Sequence, residues 1–460
     1  MNQRIFFWAL AASVAGFLFG FDTVVISGAE KTIQGLWELN PFVHGLAMSS
    51  ALWGTVLGAM VGGIPTDRWG RKKTLIWIGV LYFVSAVWSG LATDVYSFMV
   101  ARFIGGLGVG ISTVASPLYI SEISPPKSRG MLAGMFQFNI VFGILIAFLS
   151  NAIIAALFSS ASGETASDVT NPAWRWMLGI EAVPALIYSL LCLGLPESPR
   201  WLIGRQGNRE AGVQILHQIM PEAGPGRVEA LADKIETSVQ HAIAAGGSLW
   251  KRAMVMPVLL AFLIAFFNQL SGINAVLYFA PRIFEYTGLA ANAALLQSVG
   301  IGVINLIFTF LGLALIDRLG RRTLMFIGSI GYIASLGLCS WGFFSGNYGV
   351  VAPSIFAFIA AHAIGQGAVI WVFIAEIFPN QYRANGQALG SFTHWFFAAT
   401  LTLFFPALAD SLGPGAVFLI FCGMMVLQLV WVALMMPETK GVPLEEIERK
   451  LGIREVVSHR

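Results

Sequence analysis

Asp67-Arg68-Trp69-Gly70-Arg71-Lys72 recurs 250 residues later (67 to 317) as Asp317-Arg318-Leu319-Gly320-Arg321-Arg322. The echo is not isolated. Glu122 and Arg129 recur as Glu376 and Arg383, an offset of 254 (122 to 376). Pro196-Glu197-Ser198-Pro199-Arg200 is answered by Pro437-Glu438-Thr439-Lys440, an offset of 241 (197 to 438). Near-constant offsets for three kinds of motif make the chain two related halves in the same orientation.

Between the motifs lies apolar sequence. Of 460 residues 57% are hydrophobic and 11% charged, with a mean hydropathy of +0.75, which excludes an ordinary water-soluble protein. A helix crossing the hydrocarbon core needs about 20 apolar residues. Stretches 39–66, 74–93, 130–163, 253–281, 286–316, 384–409 and 411–437 carry no Asp, Glu, Lys or Arg. The long run 323–375 divides at Gly346-Asn347-Tyr348-Gly349, a turn composition. Three more spans tolerate internal charge: 6–28 with Asp22, 97–119 with Arg102, and 173–195 with Arg175 and Glu181. The expectation is an all-α membrane protein of twelve transmembrane helices in two six-helix bundles, 1–195 and 253–437. A cytoplasmic helical linker, 196–252, has helix-like stretches near 208–219 and 226–245, and a tail follows at 438–460.

Twelve crossings place both termini on one side, and the positive-inside bias names it. With the termini cytoplasmic, only Lys31, Arg102, Arg175 and Arg282 of the 27 Lys and Arg fall elsewhere. The net charge of +3 points to no nucleic-acid partner. Cys192, Cys339 and Cys422 sit in apolar stretches without metal-ligand spacing, and no nucleophile–base set or phosphate loop is present. No cofactor, no metal and no enzymatic activity are expected; the partner these features imply is the lipid bilayer of the cell membrane.

Parallel halves related by an axis along the membrane normal are a transporter architecture with its site between them near the midplane. Ionisable groups inside a membrane cost roughly 2.5–3.5 kcal/mol each on insertion scales, so they mark function. Span one runs outward and Asp22 precedes Gly28 by six residues; span four runs inward and Arg102 follows its start by five. At about 1.5 Å per residue both lie some 8–9 Å inside the outer boundary, matched for pairing. Such a pair is either a static brace or a proton site, in which weakening the pairing lets Asp22 accept a proton. Glu181 either modulates Asp22 or pairs with inner-gate arginines. Carboxamides both donate and accept, as sugar hydroxyls do, and an aromatic face suits the C–H side of a ring. The mid-span candidates are Gln137, Asn268, Gln269, Asn274, Asn305, Trp371 and Trp395. Asn274 and Tyr278, four apart, share a helix face, whereas Gln269 and Asn274, five apart, share one only if Gly272 lets span seven unwind.

These motifs, with Gly20-Phe21-Asp22-Thr23-Val24-Val25-Ile26-Ser27-Gly28-Ala29, Gln269-Leu270-Ser271-Gly272-Ile273-Asn274 and the Pro-Glu-Ser-Pro-Arg-Trp run at 196–201, resemble the sugar porter family of the major facilitator superfamily over essentially the whole chain. The resemblance implies a monomeric carrier of monosaccharides, hexose or pentose, working by alternating access. It implies sugar contacts at Gln137, Asn268, Gln269, Asn274, Asn305 and Trp371. An Asp at position 22 goes, in that family, with proton coupling, while facilitative carriers hold a neutral residue there. The repeated charges, Asp67, Arg71, Glu122, Arg129, Glu197, Arg200, Asp317, Arg321, Glu376, Arg383 and Glu438, are expected to form gating networks at the cytoplasmic helix ends. Three departures stand out. Ile144 replaces a second span-five glutamine, His394 stands before Trp395 where Asn or Gln is usual, and Gly365-Gln366-Gly367-Ala368 lacks the prolines that mark a hinge in span ten. A proton-coupled importer is the leading expectation, with a uniporter or a transport-inactive sugar sensor as alternatives.

Overall fold

The structure, a computed structural model, describes residues 3–125, 128–162, 168–244, 249–379, 381–442 and 444–453. Among these, twelve helical segments are long and apolar enough to cross a bilayer. Spans one to six are Gln3–Gly28, Pro41–Val61, Arg71–Leu91, Val95–Ile123, Gly130–Ser160 and Ala173–Leu193. Spans seven to twelve are Arg252–Tyr278, Ala291–Leu319, Arg321–Ser345, Tyr348–Ile377, Arg383–Leu412 and Pro414–Leu434. Spans three and nine start earlier than a count of charge-free residues placed them, at Arg71 and Arg321. Gly70 and Gly320 make the turn, with φ of +93° and +94°, so the motif arginine is already the first helical residue.

Small residues set the packing. A Cβ on Gly20 would collide with the Ile140 carbonyl of span five, and one on Gly106 with the Ala51 carbonyl of span two. Apolar lipid offers helices no hydrophobic gain for associating, so such backbone-to-backbone approach supplies the contact through dispersion. The two sets of six spans meet along two seams. Gly45 of span two faces the Leu403 carbonyl of span eleven, and Gly302 of span eight faces Leu145 of span five, whose Cα would lie 2.8 Å from a Cβ there.

In the linker, the two expected helices form as Arg209–Ile219 and Pro225–Ala244. A third, Pro199–Gly204, was not anticipated, although its signal is in the sequence. Ser198 caps it, its Oγ accepting from the Trp201 amide at 3.2 Å, and Pro199 fills the first helical position, where an N–H is dispensable. Trp201 then donates through Nε1 to the Asp67 carbonyl at 2.7 Å, and Arg205 pairs with Asp67 at 3.0 Å, tying the linker to the first motif. A short helix, Leu444–Lys450, follows span twelve.

Candidate transport site

Span seven breaks where expected. One helix ends at Leu270 and the next begins at Ile273, with Gly272 between them in the left-handed region at φ +87°, ψ 9°. A Cβ there would also strike the Phe421 ring, so glycine is required twice over. The break brings residues five apart together: Asn274 Nδ2 donates to Gln269 Oε1 at 2.6 Å, and Gln269 Nε2 donates to Asn268 Oδ1 at 2.8 Å. Gln269 Nε2 also lies 3.1 Å from His394 Nε2. The His394 ring sits 5.2 Å from that of Trp371 and 4.7 Å from that of Trp395. Spans seven, ten and eleven thus contribute one cluster of carboxamides and flat rings. Trp395 is directed across the seam, edge-on to Phe19 of span one at 5.4 Å. Asn305 is buried on span eight and accepts from Thr309 one turn on, Gln137 is half-buried on span five, and Ile144 belongs to the apolar core.

The depth match between Asp22 and Arg102 holds. Nη1 of Arg102 donates to Asp22 Oδ1 at 2.5 Å and Nη2 to the Asp22 carbonyl at 3.0 Å, with Asp22 2% and Arg102 1% exposed. Glu181 faces this pair and none of the arginines at the linker-side helix ends, and its Oε1 has no hydrogen-bond partner among the described residues. Tyr278 and Tyr82 are within electrostatic reach of Asp22. Two carboxyl groups and one guanidinium therefore share a site closed to water.

At the helix ends on the face where the linker lies, the repeat becomes geometry. Arg71 grips Glu122 with Nε and Nη2, both at 2.9 Å, and reaches Asp67 at 3.2 Å; its own amide donates to Glu197 at 2.9 Å. Arg321 grips Glu376 at 3.0 and 2.8 Å and reaches Asp317 at 3.0 Å, and its amide donates to Glu438 at 3.0 Å. Forked two-point pairing of this kind is the strong form of a guanidinium–carboxylate contact. Each of these networks stays within its own half. Burial, outweighing three backbone N–H donors, pushes the Glu197 carboxyl above its ordinary value. Burial also acts on Glu438, but the surrounding backbone N–H groups prevail and hold it below. Arg200 turns to Ser238 in the linker at 3.4 Å, outside the network. Arg383 has a buried Nε without a hydrogen-bond partner among the described residues, and the side chain of Arg129 lies outside them.

Several polar residues escaped notice in the sequence. Asn139 and Asn151 of span five donate to Ser13 Oγ at 2.9 Å and the Val25 carbonyl at 3.0 Å, holding span one. Span ten does break despite its missing prolines: one helix ends at Ile364, Gly365 turns with ψ −102°, and the next begins at Gln366. Gln366 donates to Gln428 of span twelve, which donates to Ser329 of span nine at 2.8 Å. At the opposite face from the linker, Arg282 donates to Glu30 at 2.9 Å and to Gln34, His44 approaches Glu30 at 3.0 Å, and Lys31 pairs with Glu285. The signal was present: Lys31 and Arg282 are two of the four basic residues that break the positive-inside pattern. A third, Arg175, donates to the Gly90 and Ala92 carbonyls at 3.0 and 2.8 Å, closing the end of span three.

Twelve spans, a broken seventh helix against a buried ion cluster and duplicated arginine clasps define a transporter of the major facilitator fold. The chain belongs to the "Sugar (and other) transporter" family, which matches residues 8–451. It is 35% identical to the arabinose-proton symporter of Bacillus subtilis, covering 95% of this chain and 93% of that protein. It is equally 35% identical to the D-xylose-proton symporter of Escherichia coli K12, covering 97% and 96%. The partially occluded, inward-open structure of the xylose transporter XylE from E. coli matches with a TM-score of 0.84 at 31% identity, over 96% of this chain and 100% of that one. The protein is thus a multi-pass membrane transporter and not an enzyme.

Proposed function

We propose that this protein imports a monosaccharide, hexose or pentose, together with a proton across the cell membrane, as a monomer with both termini cytoplasmic and by alternating access. The observation that carries the proton is the charge count at the buried cluster. Asp22 and Glu181 against Arg102 leave one negative charge unbalanced, and one proton neutralises it. Sugar sits between the halves on Gln269, Asn268, Asn274 and His394, with Trp371 and Trp395 as ring faces, Asn305 from the same half, Gln137 from the other, and Tyr278 between sugar and proton sites. The carboxamides already exchange hydrogen bonds with one another and can pass them to hydroxyls. The names of the symporting relatives support this reading.

The Arg71 and Arg321 clasps hold each half rigid at its cytoplasmic end while the halves rock. Uptake into proteoliposomes of known orientation, with and without an inward-acid gradient, is the test. Stimulation by the gradient is expected. No stimulation would make the protein a uniporter in which Asp22 and Arg102 are only a brace, and no uptake of any sugar in a counterflow screen would leave the sensor reading.

A further inference from the structure

The extracellular clasp contains an imidazole that the transport cycle above does not use. Glu30 and His44 belong to the first half and Arg282 to the second. Glu30 Oε2 accepts from Arg282 Nη2 at 2.8 Å and meets His44 Nε2 at 3.0 Å, while Oε1 accepts from Arg282 Nε at 2.9 Å. His44 and Glu30 are 0% and 1% exposed, and the second ring nitrogen of His44, Nδ1, has no hydrogen-bond partner among the described residues. The Phe279 ring lies 6.1 Å from the imidazole and is itself stacked on Phe405. The other charged or titratable groups around the cluster are the Lys31–Glu285 pair, Tyr286 and, on span eleven, Asp410.

In this closed arrangement the carboxylate of Glu30 is balanced by Arg282. Burial alone would raise the Glu30 carboxyl, yet Arg282 and the His44 bond together hold it below its ordinary value. When the outer gate opens, Arg282 departs with its own half, and Glu30 and His44 remain side by side on the other. A carboxylate deprived of its guanidinium then has one base in direct contact, an imidazole, the side chain that ordinarily titrates between pH 5 and 8. We propose that opening the outer gate exchanges Arg282 for a proton, taken from the outside by the Glu30–His44 pair, so that external acid favours the outward-open state. The proton returns to the outside when Arg282 docks again. It therefore sets how often the gate is open and leaves the coupling stoichiometry untouched, separate from the proton carried at Asp22 and Glu181.

This inference rests on the alternating-access reading, and the test keeps the two apart. Spin labels at Leu36 and Leu289, exposed on opposite halves of the outer face, report gate distance by pulsed electron resonance in nanodiscs. The three native cysteines are replaced by alanine, and an Asp22→Asn background removes the inner proton site. As pH falls from 8 to 5, the ratio of long to short distance is expected to rise by up to about tenfold per unit where the pair titrates, the limit for one proton bound to one state. His44→Gln keeps a donor for Glu30 but removes the imidazole, and the rise should vanish above pH 5. Arg282→Gln removes the closed-state cation, so both states hold the proton; the long distance should then be raised at every pH with little slope. A parent ratio that ignores pH, or a His44→Gln slope equal to the parent's, overturns the inference alone. A single distance at every pH, with and without sugar, overturns alternating access along with it.

Discussion

Neutralising Glu181 separates a proton shared by a cluster from one held by a lone carboxylate. Glu181→Gln leaves Asp22 and Arg102 balanced, with no vacancy for a proton, and keeps a side chain of the same shape beside Asp22. Asp22→Asn costs more. It replaces the carboxylate that accepts from Arg102 at 2.5 Å with a neutral amide oxygen, giving up part of the about 1.5–3 kcal/mol that a hydrogen bond to a charged group is worth. It spares the 3.0 Å bond from Arg102 to the Asp22 carbonyl and leaves Glu181 as a counter-charge. The penalty of about 3–5 kcal/mol for an uncompensated buried charge is thereby avoided. Function should respond alike in both variants. A gradient of one pH unit is worth about 1.4 kcal/mol per proton, or about tenfold sugar accumulation for a one-to-one symporter. In proteoliposomes acidified outside by one unit, the native protein should approach that ratio and both variants should stay near equality, while sugar exchange without a gradient continues in each. Native-like accumulation by Glu181→Gln would refute the shared proton and leave Asp22 as its sole holder.

Other consequences follow from single contacts. Gly45→Ala sets a methyl against the Leu403 carbonyl across the seam, so it should bias the protein toward the outward-open state; an unchanged distance between labels at Leu36 and Leu289 would contradict this. Gln428→Leu strands the Gln366 amide at the span-ten break, costing about 1–3 kcal/mol, and Gln366→Leu added to it should recover most of the lost thermal stability by removing both partners. Glu438, held below its ordinary value when folded, contributes stability that is present above the unfolded carboxylate range and lost as pH falls through the folded value. Glu438→Gln should thus lower the unfolding temperature in detergent at pH 7, with the deficit narrowing toward pH 4; a constant deficit would contradict the assignment.

What could be read in advance, and what could not, divides on how far a signal is local. Charges are scarce enough in the spans that the repeat and the Asp22–Arg102 depth match emerge from counting along the chain, and Gly272 announces its own break. The span-ten hinge gave no such notice, because its support is a glutamine 62 residues away that the sequence does not single out. Asn139 and Asn151 looked no different from Gln137, since composition does not say which face of span five meets span one. The four basic residues that break the positive-inside pattern show how the two kinds of information combine. Each has a partner: Asp22 for Arg102, the span-three carbonyls for Arg175, Glu285 for Lys31 and Glu30 for Arg282. Arg102 and Arg175 find theirs within their own half, so rocking need not break those contacts, which suits the proton site proposed for the one and a brace for the other. Lys31 and Arg282 find theirs across the seam, so any opening of the outer face must separate them, and that makes them gate residues. The sequence singles out the exceptions, and only the fold tells which of them a transport cycle has to break.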